Sequence, residues 1–317
     1  MIYNRRKFIK GMAVATAAIP FSGVIASEIN VRQKENYRIS FFTKPLDKFE
    51  LEFMTESLAM AGIDGYDLAV RPKGRVVPES VTDDLPKVIE TGKKYKLHTE
   101  VMVTAITDAS DKFTKQILKT AAQEGIKHYR LGYYDYDFKK GIPESLNEIR
   151  KKLAGLAELN AETGIQAGYQ NHSGIRVGAP MWDVWEMIKE LPVEFVSSQF
   201  DIRHAVTEAN ASWVIAQRLL SKNIGSLAIK DFTWDVSTGK AKVVSVPLGE
   251  GIIDFDLFFK TFKELNIVAP ISLHTEYPLL SREEENLPLL QKQKIIITAI
   301  KKDVDFIRMY LDKYQLV

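Results

Sequence analysis

Hydrophobic and polar positions beyond residue 36 follow one repeating pattern. A short run rich in β-branched and aromatic residues ends in polar residues, and a stretch with apolar positions at helical spacing follows it. The short runs predict strands at 38–42, 65–70, 97–104, 128–133, 166–171, 195–201, 226–232 and 271–276. The longer stretches predict helices at 51–61, 112–124, 144–162, 181–189, 212–221 and 255–265, and a long amphipathic segment at 282–314. Strand and helix alternate throughout, which is typical of a parallel sheet covered by helices.

The number of these units favours a closed barrel. Eight strand–helix units in a chain of this length match a (β/α)8 TIM barrel of the α/β class better than an open sheet. An open dinucleotide-binding sheet carries a glycine-rich turn after its first strand, whereas the sequence at 40–45 reads Ser-Phe-Phe-Thr-Lys-Pro. The sequence therefore predicts a single TIM-barrel catalytic domain at 36–317 and no nucleotide cofactor.

The first 26 residues predict export. Arg5 and Arg6 precede a short, weakly hydrophobic stretch at 11–25 that ends in small residues. That order is the layout of a twin-arginine signal peptide, with cleavage expected near Ala26. The apolar stretch is shorter than the ~20 residues that span a bilayer, so no stable membrane span is expected. We expect a periplasmic or otherwise exported protein that uses the twin-arginine export machinery.

Composition removes several classes of function. The chain has no cysteine, which excludes disulfides, thiolate metal ligands and a cysteine nucleophile. Its 43 Lys and Arg residues are balanced by 41 Asp and Glu residues, so the charge pattern gives no sign of a nucleic-acid partner. The oligomeric state stays open, because the amphipathic segment at 282–314 offers a surface on which another subunit could pack.

Charged and polar residues collect where the predicted strands end. In a barrel of this kind, the carboxyl ends of all strands face the active site. Burying so many charges without partners would be costly, so the collection predicts a functional site. Its members are Asp67, Arg71, Arg130, Tyr133, Gln170, Asn171, His172, Asp201, Arg203, His204, Lys230, Asp231, Trp234, His274 and Glu276. Alternation along a strand points Lys230 and Asp231 in opposite directions, and Trp234 fits either the core or an apolar platform for a sugar ring.

Several of these segments resemble the xylose isomerase-like superfamily of sugar-phosphate isomerases and epimerases. The segments are Gln170-Asn171-His172, Asp-Ile-Arg-His-Ala at 201–205, Ile-Lys-Asp-Phe at 229–232, Val-Pro-Leu-Gly-Glu-Gly at 246–251 with Asp254, and Glu276. The resemblance covers essentially the whole chain after the signal peptide, and it implies a TIM barrel and a carbohydrate substrate. Because phosphorylated sugars are chiefly cytoplasmic, the expected substrate of an exported member is a free sugar, a keto-glycoside or a sugar acid.

The resemblance also implies a site for one divalent metal ion. Family members hold such an ion with Glu, Asp, His and Glu on four successive strands, and these positions correspond here to Gln170, Asp201, Ala228 and Glu276. Two of the four ligands are therefore lost. Asp201, Glu276 and the Gln170 amide oxygen could still bind Mn2+, Mg2+, Co2+ or Zn2+ if water, substrate or a histidine completed the shell. The sequence leaves open a metal-assisted site and a metal-free one.

The loss of one glutamate bears on the mechanism. The resemblance implies proton abstraction beside a carbonyl, with the two family glutamates as paired acid–base groups. A glutamine amide does not exchange protons near neutral pH, so a one-base reaction centred on Glu276 is expected. His172, His204 and Lys230 are the other predicted catalytic residues, supplying positive charge or hydrogen bonds to the oxyanion. The predicted substrate-binding residues are Arg71, Arg130, Gln170, Asn171, Trp234 and His274.

Three functions compete on these grounds. The leading hypothesis is an exported carbohydrate isomerase or epimerase, or a keto-glycoside lyase. A non-catalytic sugar-binding barrel would explain the two lost ligands, but it leaves Lys230 and Glu276 without a role. A metal-dependent endonuclease of the abasic-site class shares the barrel, but it needs more His and carboxylate ligands and a basic groove for DNA.

Overall fold

The computed structural model describes residues 37–316, so the predicted signal peptide at 1–26 lies outside the described residues. The strands in chain order are β1 (Ile39–Phe42), β2 (Gly65–Ala69), β3 (His98–Val103), β4 (His128–Arg130), β5 (Gln166–Gln170), β6 (Val196–Asp201), β7 (Ile224–Ile229), β8 (Asp231–Asp235), β9 (Lys242–Val246) and β10 (Ile271–Leu273). Eight of them form a closed parallel barrel in the order β1-β10-β7-β6-β5-β4-β3-β2, while β8 and β9 form an antiparallel hairpin. The predicted (β/α)8 TIM barrel is confirmed.

Helices cover the outside of the barrel. They are α1 (Leu51–Met60), α2 (Val81–Lys94), α3 (Thr114–Gln123), α4 (Ile142–Thr163), α5 (Met181–Ile188), α6 (Ile202–Ala209), α7 (Trp213–Leu220), α8 (Phe255–Glu264) and α9 (Leu289–Lys313). The predicted helices all occur, whereas α2, α6 and the β8–β9 hairpin are additions that the sequence pattern did not reveal. Within the part of the chain that the structure describes, no helix is both long and apolar enough to cross a membrane.

Local features of the sequence explain why these elements were not predicted. Helix α2 contains Pro86, a residue that normally interrupts a helix. Helix α6 begins directly after β6 because the Asp201 side chain accepts the backbone N–H of His204 and caps the helix. The predicted strand at 226–232 is wrong in its second half, since β7 ends at Ile229 and the chain turns at Lys230 into the hairpin.

The barrel interior is partly polar towards its active-site end. Asp67 on β2 and Ser272 on β10 form a 2.5 Å hydrogen bond although β1 lies between their strands, so both side chains point inward. His274 follows Ser272 at the spacing of two that keeps a side chain on the same face, and its ring stacks on Phe42 at 4.7 Å. Glu276 follows at the same spacing, which brings it to the mouth of the barrel.

Asp231 fixes the backbone where β7 leaves the barrel. Its Oδ1 accepts the Phe232 N–H at 2.8 Å, and its Oδ2 accepts the N–H groups of Gly249 and Gly251 at 3.0 Å each. Gly251 lies so close that a Cβ there would meet Asp231 Oδ1 at 2.1 Å. Asp231 therefore joins the start of the hairpin to the loop after β9, and it points away from Lys230 as predicted.

We expect Asp231→Asn to lower the free energy of unfolding by about 2 kcal/mol, because one oxygen that accepts backbone N–H groups becomes an NH2 group that faces them. Urea unfolding followed by circular dichroism measures the loss. Asp305→Asn, which removes an exposed pair with Lys301, is the matched control and should cost only a few tenths of a kcal/mol. Equal losses in the two variants would contradict a structural role for Asp231.

Candidate active site

The ammonium of Lys230 lies at the centre of the polar cluster at the barrel mouth. Lys230 Nζ is 2.8 Å from Glu276 Oε1, 3.0 Å from Asp201 Oδ2 and 3.1 Å from His204 Nε2. The Lys230 side chain is only 3% exposed and that of Asp201 is fully buried. An ammonium has three donors, and each of them here faces one of these three groups.

The strand register explains why Lys230 reaches this position. Asp201 on β6 is paired with Ala228 on β7, and Ala228 is paired on its other side with Ser272 on β10. Side chains alternate along an extended chain, so Lys230 lies on the same face as Ala228. The small Ala228 side chain leaves room beside Asp201, and the lysine amine occupies the space between Asp201 and Glu276.

Gln170 orients the other side of Asp201. Its Nε2 donates to Asp201 Oδ2 at 2.7 Å, so the amide nitrogen faces the carboxylate. The opposite end of the amide, Oε1, accepts hydrogen bonds from Arg130 at 3.0 Å and from the Tyr133 hydroxyl. Arg130 also donates to the Tyr133 hydroxyl at 2.8 Å. This network leaves the Gln170 oxygen turned away from Asp201.

His204 is a neutral imidazole among hydrogen-bond donors. Burial, and then the charge of the Lys230 ammonium, hold the pKa of His204 well below its usual value. An ammonium cannot accept a hydrogen bond, so Lys230 presents a donor to Nε2 at 3.1 Å. The other ring nitrogen, Nδ1, faces the Ser173 backbone N–H at 3.2 Å and the Arg203 guanidinium at 3.0 Å, which are donors too, and the Ser173 hydroxyl at 2.8 Å. Donors therefore face both ring nitrogens, which disfavours the doubly protonated ring.

His172 presents a free nitrogen to the adjacent cavity. Its Nδ1 lies 2.8 Å from the carbonyl oxygen of Ser173, which can only accept, so Nδ1 carries the hydrogen and Nε2 is unprotonated. The His172 ring packs against that of His204 with centroids 4.0 Å apart. Burial lowers the pKa of His172, which favours the neutral form at pH 7.

Glu276 connects the buried cluster to solvent. Its side chain is 38% exposed and, with His172, lines a cavity of about 600 Å³ that extends past Phe42 to Lys48. Burial raises the pKa of Glu276, but the Lys230 ammonium, His274 and the hydrogen bond from Lys230 outweigh burial and hold the pKa at about 2. Arg203 adds to this effect from 3.9 Å. Glu276 is therefore ionised at every physiological pH.

The structure brings most of the predicted site residues into this one network. Asp201, Glu276, His204, Lys230, His172, Gln170 and Arg130 are linked by the contacts described above. Tyr133 and Arg203, which the sequence placed in the polar collection without a catalytic or binding role, belong to it as well, and Ser173 is an addition. Each lies within three residues of a predicted member, so the signal was their proximity in sequence to Arg130, His172 and His204.

The remaining predicted residues lie around the network. Asn171 uses both ends of its side chain on the Asp201 backbone, donating to the carbonyl at 2.9 Å and accepting the N–H at 2.8 Å. His274 Nε2 lies 3.6 Å from the buried Asp67 Oδ2. Trp234 lies on the hairpin, 38% exposed, with its ring edge-on to Phe232. Arg71 lies in the loop after β2, where its backbone N–H donates to the Val76 carbonyl at 3.0 Å, and burial and then the charge of Arg130 lower its pKa.

The predicted metal-ligand set does not match the requirements of a divalent cation. Among residues 37–316 there is no group of three or more His, Cys, Asp or Glu side chains that could hold a metal ion. Gln170 turns its NH2 group to Asp201, Ala228 has no donor atom, and the Lys230 ammonium occupies the space between Asp201 and Glu276. A metal site formed by Asp201, Glu276 and Gln170 is therefore not supported by the geometry.

Comparison with known protein families agrees with the barrel architecture. Residues 103–297 match the model of a family described as xylose isomerase-like TIM barrel. The chain belongs to this family. The match contains strands β4 to β7 and β10 and all residues of the network around Lys230. A search of curated protein sequences gave no significant match.

Solved structures with the same fold include some named as sugar epimerases and one named as a probable dehydratase. D-allulose 3-epimerase from Methylomonas sp. is 16% identical, with a TM-score of 0.61 over 87% of this chain and 98% of that one. The 3-keto-D-glucoside 4-epimerase from E. coli is 13% identical, with a TM-score of 0.59 over 86% and 99%. A probable 3-DHS dehydratase from Bacillus anthracis is 14% identical, with a TM-score of 0.59 over 86% and 98%. At these identities the similarity concerns the fold.

The charge of Glu276 has a consequence for stability that can be measured against pH. Its folded-state pKa of about 2 lies below the usual 4.5, so its contribution to stability is complete above the usual value and is lost as the pH falls towards 2. We expect the difference in unfolding free energy between wild type and Glu276→Gln to shrink between about pH 5 and about pH 3. Urea unfolding at several pH values measures it, with the exposed Glu90→Gln as control. A difference that stays constant over this range would contradict the assigned ion pair.

Proposed function

We propose that this protein is an enzyme that removes a proton from the carbon next to the carbonyl group of a sugar or keto-sugar. The observation that carries the proposal is the position of the Glu276 carboxylate, which faces a cavity large enough for a sugar and accepts a hydrogen bond from the buried Lys230 ammonium. A carboxylate beside a fixed positive charge suits a reaction in which negative charge moves from the base to a carbonyl oxygen.

The proposed step conserves charge within the site. Glu276 takes the proton, the electron pair of the C–H bond becomes a C=C bond, and the carbonyl π electrons move to the oxygen. The negative charge thus leaves the Glu276 carboxylate and arrives on the enolate oxygen, close to the same Lys230 ammonium. Glu276 begins as a weak base, because the hydrogen bond from Lys230 stabilises its ionised form. Proton transfer to Glu276 becomes easier as Lys230 donates that hydrogen bond to the substrate oxygen instead.

The protonation states favour chemistry with one base. At neutral pH Glu276 is ionised, while His172 and His204 are neutral, and Gln170 cannot exchange a proton. Direct inversion between two groups needs a protonated group on the face opposite the base, and these residues do not supply it. After proton abstraction, protonated Glu276 can return the proton to the former carbonyl carbon while the hydroxyl proton of the enediolate moves to the other oxygen, which isomerises the sugar. It can instead give the proton to a leaving oxygen, which completes an elimination.

The proposed substrate is a keto-sugar, free or linked to a second group as a keto-glycoside. A keto group activates the neighbouring C–H bond, and the names of the structural relatives include a 3-keto-D-glucoside epimerase and a dehydratase. The cavity continues from Glu276 along Phe42 towards Lys48, which offers space for the group attached to the reacting ring. Lys44 and Lys48 line the cavity and would place a positive potential near a carboxylate if the substrate is a sugar acid.

We expect wild-type protein in D2O to incorporate deuterium into, or convert, at least one member of a panel of ketoses, 3-keto-glucosides and keto sugar acids. Glu276→Gln should slow this by about 10³-fold, because the amide cannot accept the proton. Proton NMR detects exchange, isomerisation and elimination in one experiment. Glu264→Gln, at a surface pair with Arg218, is the control and should react at the wild-type rate.

Two outcomes would overturn the proposal. Equal rates in wild type and Glu276→Gln would show that Glu276 is not the base. No exchange with any compound, together with a rise in melting temperature caused by the same compounds, would identify a sugar-binding barrel.

We also propose that the protein acts outside the cytoplasm, after export of the folded chain by the twin-arginine route. Support comes from the Arg5-Arg6 pair and the short apolar stretch that follows it. Changing both arginines to lysine in the full-length chain should abolish its recovery in the periplasmic fraction of a bacterial host that has this route. Lys10→Arg should leave export intact. Periplasmic recovery of the double-lysine variant would refute the assignment.

A further inference from the structure

We propose that the Lys230 ammonium is the resident cation of this active site, performing the electrostatic role that a divalent metal ion would have between the same carboxylates. The inference rests on the proposed function for its catalytic part, whereas the identity of the cation can be tested without any substrate. It assigns to Lys230 both the fixation of Asp201 and Glu276 and the stabilisation of the enolate oxygen.

The first support is the position of the amine. Lys230 Nζ is within 3.0 Å of an oxygen of each of the two carboxylates, and the exposed fraction of its side chain is 3%. Positions 170 and 228, where the family resemblance places Glu and His ligands, here carry Gln and Ala. The Gln170 NH2 group faces Asp201, as a donor to a carboxylate and not as a ligand to a cation.

The second support is the local balance of charge. The negative charges of Asp201 and Glu276 face the positive charges of Lys230 and, at 3.9 Å from Glu276, Arg203. The two signs therefore cancel before any ion enters. A divalent cation added to this arrangement would meet like charge and leave two positive charges without partners in a largely buried site, which is unfavourable.

The same contacts define how Lys230 acts. An amine held between two carboxylates is an ammonium, which has no lone pair to attack a carbonyl carbon. Lys230 therefore contributes charge and a hydrogen bond, and no covalent bond to the substrate forms or breaks at Nζ. When Glu276 turns to the substrate C–H bond, the N–H that it releases can be donated to the carbonyl oxygen as negative charge develops there.

The decisive experiment compares metal binding in three proteins by melting temperature and isothermal titration with Mn2+ and Co2+. We expect no response from the wild type and a clear response from the triple variant Gln170→Glu/Ala228→His/Lys230→Met, which removes the ammonium and supplies the absent ligands. A loaded site should raise the melting temperature by about 5 °C or more. Lys230→Met alone keeps the inference testable if the triple variant does not fold, since it frees both carboxylates and should bind Mn2+ more tightly than the wild type.

Activity supplies the second measurement. Wild-type proton exchange should be unaffected by EDTA, Lys230→Met should slow it by about 10³-fold, and Lys222→Met on the surface should leave it unchanged. Borohydride added during turnover should not attach substrate to the protein. Near-stoichiometric Mn2+ or Co2+ bound by the wild type, or wild-type rates in Lys230→Met, would overturn the inference. A protein that exchanges no substrate would refute the proposed function, while the metal titrations would still decide which cation the site holds.

Discussion

The ammonium of Lys230, bound by the carboxylates of Asp201 and Glu276, determines the arrangement of the barrel mouth. Because the positive charge is part of the polypeptide, the two carboxylates are held together without an external ion. Burial and then this charge lower the pKa of His204, and against the effect of burial the charge keeps Glu276 ionised. Removing this one charge would leave two carboxylates in a largely buried site, with Arg203, 3.9 Å from Glu276, as the remaining positive charge of the cluster.

Asp201 connects the charged side chains to the backbone. One carboxylate oxygen caps α6 through the His204 N–H, and the other contacts Lys230 and Gln170. The Asn171 side chain meanwhile binds the Asp201 N–H and carbonyl, which joins the ends of β5 and β6. The site therefore rests on strand ends whose main-chain groups are already paired, and little reorganisation is needed when substrate binds.

The sequence predicted the barrel well because strands buried on both faces and amphipathic helices leave strong patterns. It failed at Pro86 in α2 and at the junction of β6 and α6, where a side-chain cap replaces a loop. The sequence also predicted that the polar residues around Glu276 lie close together, from the rule that the carboxyl ends of parallel barrel strands meet at one face. It could not show that the Lys230 amine would lie between two carboxylates, because that depends on the space beside Ala228 and on the side-chain conformation.

Because the Asp231 carboxylate binds the loop after β9, that loop affects the reacting centre without contacting it. Lys230 is the residue before Asp231, so the backbone from which the amine extends is held by the N–H groups of Gly249 and Gly251. Any side chain at position 251 would push against Asp231. A substitution in this outer loop would therefore displace the Lys230 ammonium at the reacting centre. Such a variant would lose activity although the altered residue contacts neither the substrate nor the catalytic groups.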